Sequence, residues 1–502
     1  MKSLSVLRIA LLLVTPLALA SELYGASPSA SAPASRAMFG RRPLAAQQIP
    51  RLRQLQGMGT MVDATLSPYY RDRSPRGLAK EIRGRGFDWV LAYANSLTPD
   101  LAAAIRVEGM ALGLQLWGTI IYGPERLAPP PPAEALQVFA SGPQTAAEQP
   151  KFYCPSSEAF VAWHRGYALA QLARFHPDMV LVIESFLGDI PGPTNRTYGC
   201  VCPRCCRRFA EAHGGQEAPE FKHTGSPRYW QTDKARYQRW VSFRAKLLAD
   251  FTRDLYGGIA QTEAKVALAG TMLALGQPDG LSVVRECNGQ DAALLARAAP
   301  WDLFFLQAHW PDWSRPGLTP REQVEGYRPF LDALHKEVPD LRVGILGDSG
   351  SNEDSRRSLE WIREADSIAR SAGFTGFGIY EYAVSGFIYS ERPRVIESTA
   401  NAARREIEVV FSKRLDRPSA TASQNYTLGD GTHPREIAFD GGNIVLLRFD
   451  KIARPQPATL RIQDVRDDAT AFWFNAGRPR QQQKYPSQVI DPDTRIDIKW
   501  RR

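Results

Sequence analysis

Asp88-Trp89-Val90-Leu91-Ala92-Tyr93, then Thr98-Pro99-Asp100, then Gly109, then Ala111-Leu112-Gly113-Leu114-Gln115-Leu116-Trp117: these thirty residues carry an apolar run, a helix start, a helix stop and a second apolar run. Short runs without polar alternation are strands buried on both faces, which requires helices covering a parallel sheet. Thr98 before Pro99 gives an N-cap and a first-turn proline, and Gly109 ends the helix. The unit is strand, helix, strand.

The same grammar extends in both directions. Upstream, Met58 to Val62 forms a strand ending at Asp63, and Ser74-Pro75 starts a helix that runs to Gly84 or Gly86. Downstream, a helix from Ser156 to Phe175 leads into Met179 to Ile183, which ends at Glu184. Further strands are predicted at Lys265 to Leu268, Leu303 to Leu306, Arg342 to Leu346 and Gly376 to Tyr380. Thr319-Pro320-Arg321-Glu322 is a capping box ahead of the seventh strand. Eight strand candidates between Met58 and Tyr382 predict an α/β fold, a closed (β/α)8 TIM barrel over residues 51–405. An open doubly wound sheet is disfavoured, because no glycine-rich phosphate loop follows the first strand.

The flanks differ in character. Lys2 and Arg8 precede an apolar stretch from Ile9 to Ala20 that closes on Ala18-Leu19-Ala20, the pattern of a cleavable signal peptide over residues 1–20. A largely apolar run of twelve residues is too short to span a bilayer. The expectation is a secreted or periplasmic protein with no transmembrane segment in its mature form. Residues 21–50 are rich in Ser, Ala and Pro and read as a tether. The net charge of +9 comes from bases mixed with acids along the whole chain, so a solvated surface is expected rather than a nucleic-acid partner.

From residue 406 the helical period gives way to alternation, as in Ile407-Glu408-Val409-Val410-Phe411 and Asn443-Ile444-Val445-Leu446-Leu447-Arg448-Phe449. Val410 to Asp416, Asn425 to Leu428 and Leu460 to Asp467 resemble bacterial Ig-like modules appended to secreted enzymes. The resemblance implies a β-sandwich over 406–502 serving as a spacer or adhesion module. The abrupt change of period leads us to expect few contacts between it and the barrel.

Six cysteines are present, four of them in Cys200-Val201-Cys202-Pro203-Arg204-Cys205-Cys206, with Cys154 and Cys287 apart. Two readings are open. An exported protein can pair them as disulfides, or thiolates from one tight loop can converge on a tetrahedral metal. Cys154 follows strand three and the cluster follows strand four, so adjacent barrel loops would bring them together. A lone Cys followed 46 residues later by C-x-C-x-x-C resembles the zinc cluster of bacterial barrel β-galactosidases in the large retaining-glycosidase clan. The resemblance implies a structural zinc held by Cys154, Cys200, Cys202 and Cys205, with Cys206 and Cys287 outside the site. It also implies an acid/base glutamate at the end of strand four. Glu184 stands there, 16 residues before Cys200.

Hydrolysis of a glycosidic bond requires one carboxyl group to protonate the leaving oxygen and another to attack or to activate water. Candidate strand-end carboxylates are Asp63, Glu184 with Asp189 beyond it, Asp348 and Glu381. Glu184 closes an apolar run, a setting that raises a carboxyl pKa as a general acid requires. Glu381 lies between Tyr380 and Tyr382, and Asp348 falls where the clan's nucleophile would. We expect Glu184 to be the proton donor, with Glu381 and then Asp348 as its partner. The sequence departs from the clan in having Ile183 before the acid/base Glu and Asp rather than Glu on strand seven. Trp117, Tyr122, Trp310 and Trp313 also follow strand ends, and flat rings stack on sugars. With Asp63, Asp189, His309 and Tyr380, the residues Trp117 and Trp310 complete the expected substrate set. The function this implies is a glycosidase acting on an oligo- or polysaccharide; the alternative is a non-catalytic glycan-binding protein using the barrel as a platform.

Overall fold

The computed structural model describes residues 53–64, 67–145, 149–263, 265–352, 356–452, 459–468, 470–472, 482–484 and 486–500. The expected signal peptide and tether lie outside these. Eight parallel strands close into a barrel: β1 (Gly59–Val62), β2 (Trp89–Tyr93), β3 (Ala111–Trp117), β4 (Met179–Ile183), β5 (Ala267–Ala274), β6 (Leu303–Ala308), β7 (Val343–Asp348) and β8 (Phe377–Tyr380). Each pairs with its sequence neighbours, and β1 closes on β8 through Gly59↔Gly378 and Thr60↔Ile379. Closure excludes the open sheet.

Glycines decide how the barrel fills. A Cβ at Gly59 would stand 1.9 Å from the Trp89 ring and one at Gly378 would stand 2.7 Å from it. The bare backbones of β1 and β8 thus leave room for the indole of β2, which packs on Phe305 of β6 with centroids 5.6 Å apart. Its Nε1–H donates to the Gly57 carbonyl at 2.9 Å, so the large ring is buried without stranding its polar atom.

The helices start where their caps are written. Ser74, Thr98 and Ser157 accept N3 amides at the heads of α1 (Pro75–Gly84), α2 (Pro99–Val107) and α3 (Glu158–Phe175). The loop after β4 contains α4 (Pro203–Ala212), and α5 (Lys234–Thr262) returns the chain to β5. The predicted box at Thr319 is formed, with side chains of Thr319 and Glu322 each accepting the other's backbone N–H.

After β8 a short helix, Gly386–Ser390, leads directly into β9 (Val395–Asn401), which pairs antiparallel with β10 (Glu406–Phe411). The 405/406 division therefore falls in the turn of a hairpin. Also present are β11 (Tyr426–Leu428), β12 (Glu436–Asp440), β13 (Ile444–Arg448), β14 (Thr459–Ile462), β15 (Arg495–Asp497) and β16 (Lys499–Trp500). They form a five-stranded sheet, β12-β13-β10-β9-β16, and a three-stranded sheet, β11-β14-β15. Ile407, Val409 and Phe411 from the first share one apolar cluster with Tyr426, Leu428, Leu460 and Ile462 from the second. That cluster is separate from the barrel's.

The expectation of few contacts between the two parts is corrected. Helix α1 lies against β10: Arg76 donates to both Glu408 oxygens, Lys80 pairs with Glu397, and Asn443 Nδ2 donates to the Gly77 carbonyl at 2.9 Å. Arg85, buried, reaches Glu391 at 2.7 Å and the Ser412 carbonyl at 2.8 Å. The change of sequence period marks a change of secondary structure, not a loose joint.

Candidate active site and cysteine knot

The C-terminal ends of β4, β6, β7 and β8 surround a cavity of about 220 Å³. Glu184 follows the last residue of β4, Gln307 and His309 leave β6, and Asp348 and Tyr380 end β7 and β8. All of these line the cavity, together with Asp189, Tyr122, Trp310 and Trp313.

Glu184 takes a left-handed backbone, φ 57°, a conformation that costs a non-glycine residue about 1–2 kcal/mol. The surroundings hold it there. The Ile120 N–H donates to its carbonyl at 3.1 Å, the Gly118 N–H donates to the Ile183 carbonyl at 2.6 Å, and Thr119 Oγ1 donates to the Phe186 carbonyl at 2.8 Å. On the other side, Gln290 Nε2 donates to the Ser185 carbonyl at 2.9 Å. Gln307 Nε2 donates to Glu184 Oε1 at 2.7 Å. Burial pushes the Glu184 pKa up, as its apolar approach strand predicted, while the Gln307 amide and His309 oppose the shift and Asp189 adds to it.

Asp348 is buried and wrapped by its own loop. The N–H groups of Gly350 and Ser351 donate to Oδ1 at 2.8 Å each, and Ser351 Oγ donates to Oδ2. Burial raises its pKa against these three donors. At the rim, Asp189 Oδ1 accepts from Trp310 Nε1 at 3.2 Å and stands 3.3 Å from His309 Nε2. His309 Nδ1 accepts the Trp310 N–H at 2.8 Å, which leaves the ring proton on Nε2.

Three expected site residues stand apart from this cavity. Glu381 also has a left-handed backbone, φ 56°, but its carboxyl turns toward the first strand. It accepts the Asp63 N–H at 2.8 Å, the Ala383 N–H at 2.9 Å and the Tyr70 hydroxyl. Burial pushes its pKa up to about 8. Asp63 is tied into the same polar knot. Trp117 sits behind the wall, packed between Tyr93 and Tyr122 with centroids at 5.0 and 4.9 Å. Its role is to back Tyr122. Gln307, Ser351 and Asn352 also line the cavity and were not singled out from the sequence; the signal for Gln307 was a lone polar side chain just after the apolar run Leu303 to Leu306.

Beside the cavity the cysteines converge. The ligand atoms of Cys154, Cys200, Cys202 and Cys205 all lie within 4.8 Å of one another, and all four residues are buried. Cys154 Sγ is 3.7 Å from Cys202 Sγ and 3.5 Å from Cys205 Sγ. An Sγ–metal distance of about 2.3 Å gives a tetrahedral edge of about 3.8 Å, so the donor set fits a metal ion. None of the six cysteines forms a disulfide, and Cys206 and Cys287 are outside the group. Arg244 of α5 joins the loop after β4, which carries three of these cysteines, to the loop after β5. Its guanidinium lies 4.0 Å from the centroid of the Tyr198 ring and donates to the carbonyls of Gly199 (2.8 Å), Leu187 (2.8 Å), Glu286 (2.7 Å) and Cys287 (3.1 Å).

No protein-family model and no curated protein matches the sequence. Among solved structures, the chain is similar to the glycoside hydrolase domain of PgaB (BpsB) from Bordetella bronchiseptica, at 16% identity and TM-score 0.44 over 64% of this chain and 93% of that one. It is also similar to the glycoside hydrolase domain of PelA from Pseudomonas aeruginosa, at 13% identity and TM-score 0.34 over 65% and 95%. A β-galactosidase from the psychrophilic Marinomonas ef1 gives 12% and 0.45 over 64% and 53%.

Proposed function

We propose that this protein is a secreted or periplasmic glycoside hydrolase that cleaves an oligo- or polysaccharide at the C-terminal face of its barrel. One observation carries the reading: Glu184 from β4 and Asp348 from β7 face a single cavity walled by Tyr122, Trp310, Trp313 and Tyr380. Two carboxyls and flat rings around one space are what glycosidic cleavage requires. Glu184, whose pKa burial raises, gives its proton to the glycosidic oxygen as the C–O bond breaks. Asp348, its charge supported by Gly350, Ser351 N–H and Ser351 Oγ, meets the anomeric carbon directly or through a water. Asp348 thus takes the partner's place that the sequence offered first to Glu381. Asp189, His309, Trp310 and Tyr380 bind the sugar.

The proposal includes a structural zinc in the cysteine knot, since four thiolates suit a soft tetrahedral ion and leave no position for substrate. It also keeps the Ig-like assignment of the C-terminal sheets. Secretion rests on the first twenty residues of the sequence, and no helix among the described residues is long and apolar enough to cross a membrane.

A screen of chromogenic glycosides and of plant or algal polysaccharides identifies the substrate. Glu184→Gln then tests the mechanism, because loss of a general acid costs about 10²–10⁴ in rate. The variant should lose activity steeply on natural substrates and much less on activated aryl glycosides, which need little protonation. Wild-type rates on natural substrates would remove Glu184 from the chemistry and favour the glycan-binding platform.

A further inference from the structure

The Glu184 carboxyl has two oxygens, and the chain treats them differently. Oε1 accepts the Gln307 amide at 2.7 Å. Gln307 comes from β6, one strand removed from β4 in the barrel, and both residues line the cavity. The geometry points to Gln307 as the positioning residue of the Glu184 carboxyl, holding Oε1 so that Oε2 is the oxygen that carries and delivers the proton. An amide N–H donates to Oε1 whether Glu184 is ionised or protonated, provided the proton sits on Oε2; a proton on Oε1 would face the amide N–H and lose the bond. One hydrogen bond therefore survives both states and fixes the tautomer of the acid.

The other groups facing Glu184 do not do this. His309 and Asp189 act on it at longer range and with opposite sign. Tyr122 and Tyr380 feel its charge from the loop after β3 and from the end of β8, and Asp348 bears on Tyr380 from β7. Among the described residues, the Gln307 amide is the one side-chain hydrogen bond to this carboxyl. It supports the anion against the burial that favours the acid, which sets where Glu184 titrates.

What the proton is used for rests on the glycosidase reading, but the test does not. The protonated carboxyl band of Glu184 is followed by infrared titration without substrate, assigned by its absence in Glu184→Gln. Gln307→Met keeps the length and removes the donor, so the Glu184 midpoint should rise by about one unit. Gln307→Lys restores a donor and adds a positive charge, so the midpoint should fall below that of the native protein. Opposite shifts support the assignment. An unchanged midpoint in Gln307→Met, shifts of one sign in both variants, or unfolding of both would overturn it and make Gln307 a packing residue. Each of these outcomes can occur with glycosidase activity present or absent.

Discussion

Two glutamates leave the barrel with nearly the same positive φ, Glu184 at 57° and Glu381 at 56°, yet their carboxyls end in different surroundings. Glu184 lines the cavity with one oxygen bonded to Gln307; Glu381 is held by Tyr70, the Asp63 N–H and the Ala383 N–H. The difference predicts different phenotypes. Asp348→Asn should abolish turnover with every leaving group, since attack or water activation needs the carboxylate whatever departs. Glu381→Gln should keep turnover and alter stability instead. The folded-state pKa of Glu381 is about 8 against an ordinary 4.5, so the native state holds a proton that the unfolded chain releases. Its contribution is full below about pH 4.5 and is lost as pH rises toward 8. Glu381→Gln removes that dependence, and its urea-unfolding free energy should change less across this window than that of the native protein. Equal slopes would show that Glu381 titrates normally.

The elements were more legible than the site. Strands β3 and β4 run as their apolar stretches do, and the caps at Ser74, Thr98 and Thr319 sit where the sequence writes them. Strand β5 was expected to stop at Leu268 but continues to Ala274, because Gly270 and its small neighbours are chosen for space. A Cβ at Gly270 would stand 2.4 Å from Phe304 and 3.1 Å from Trp301. That pressure from the neighbouring strand is invisible in a one-dimensional pattern. Which strand-end carboxylate faces the cavity is equally hidden, since Tyr70 meets Glu381 across 311 residues. The cysteine knot was readable because its spacing is local, and it carries its own prediction. Metal analysis should find one ion per chain, and thiol counting on unfolded, chelated protein should find all six thiols. Cys205→Ser should lose the ion and lower the melting temperature, whereas Cys206→Ser and Cys287→Ser should keep it. Three disulfides and no metal would remove the knot as a ligand set.

At the scale of the whole molecule, the C-terminal sheets belong to the barrel's structure. Among the described residues no long helix follows β8, and the chain passes within a few residues into a sheet that packs on α1. The fit is close: a Cβ on Gly77 of α1 would stand 2.4 Å from Asn443 Oδ1. Polar ties reinforce it, with Lys413 Nζ donating to the Glu391 carbonyl at 2.8 Å and to Asp467 at 2.5 Å in a buried pair. A chain ending at Arg405 would keep β9 without its partner β10, expose the packed face of α1, and take from buried Arg85 its bond to Ser412. Arg85 would keep Glu391, but leaving one of its buried donors unsatisfied costs about 1–3 kcal/mol, and the unpaired strand and uncovered helix add to that loss against a domain's net stability of about 5–15 kcal/mol. The truncated protein should therefore be insoluble or melt well below the full chain. Gly77→Val tests the same contact without deleting anything, since overpacking costs about 1–3 kcal/mol and should lower the melting temperature while leaving the cysteine knot loaded. A soluble, active truncation with the melting temperature of the full chain would show that the barrel stands alone and the sheets are only attached to it.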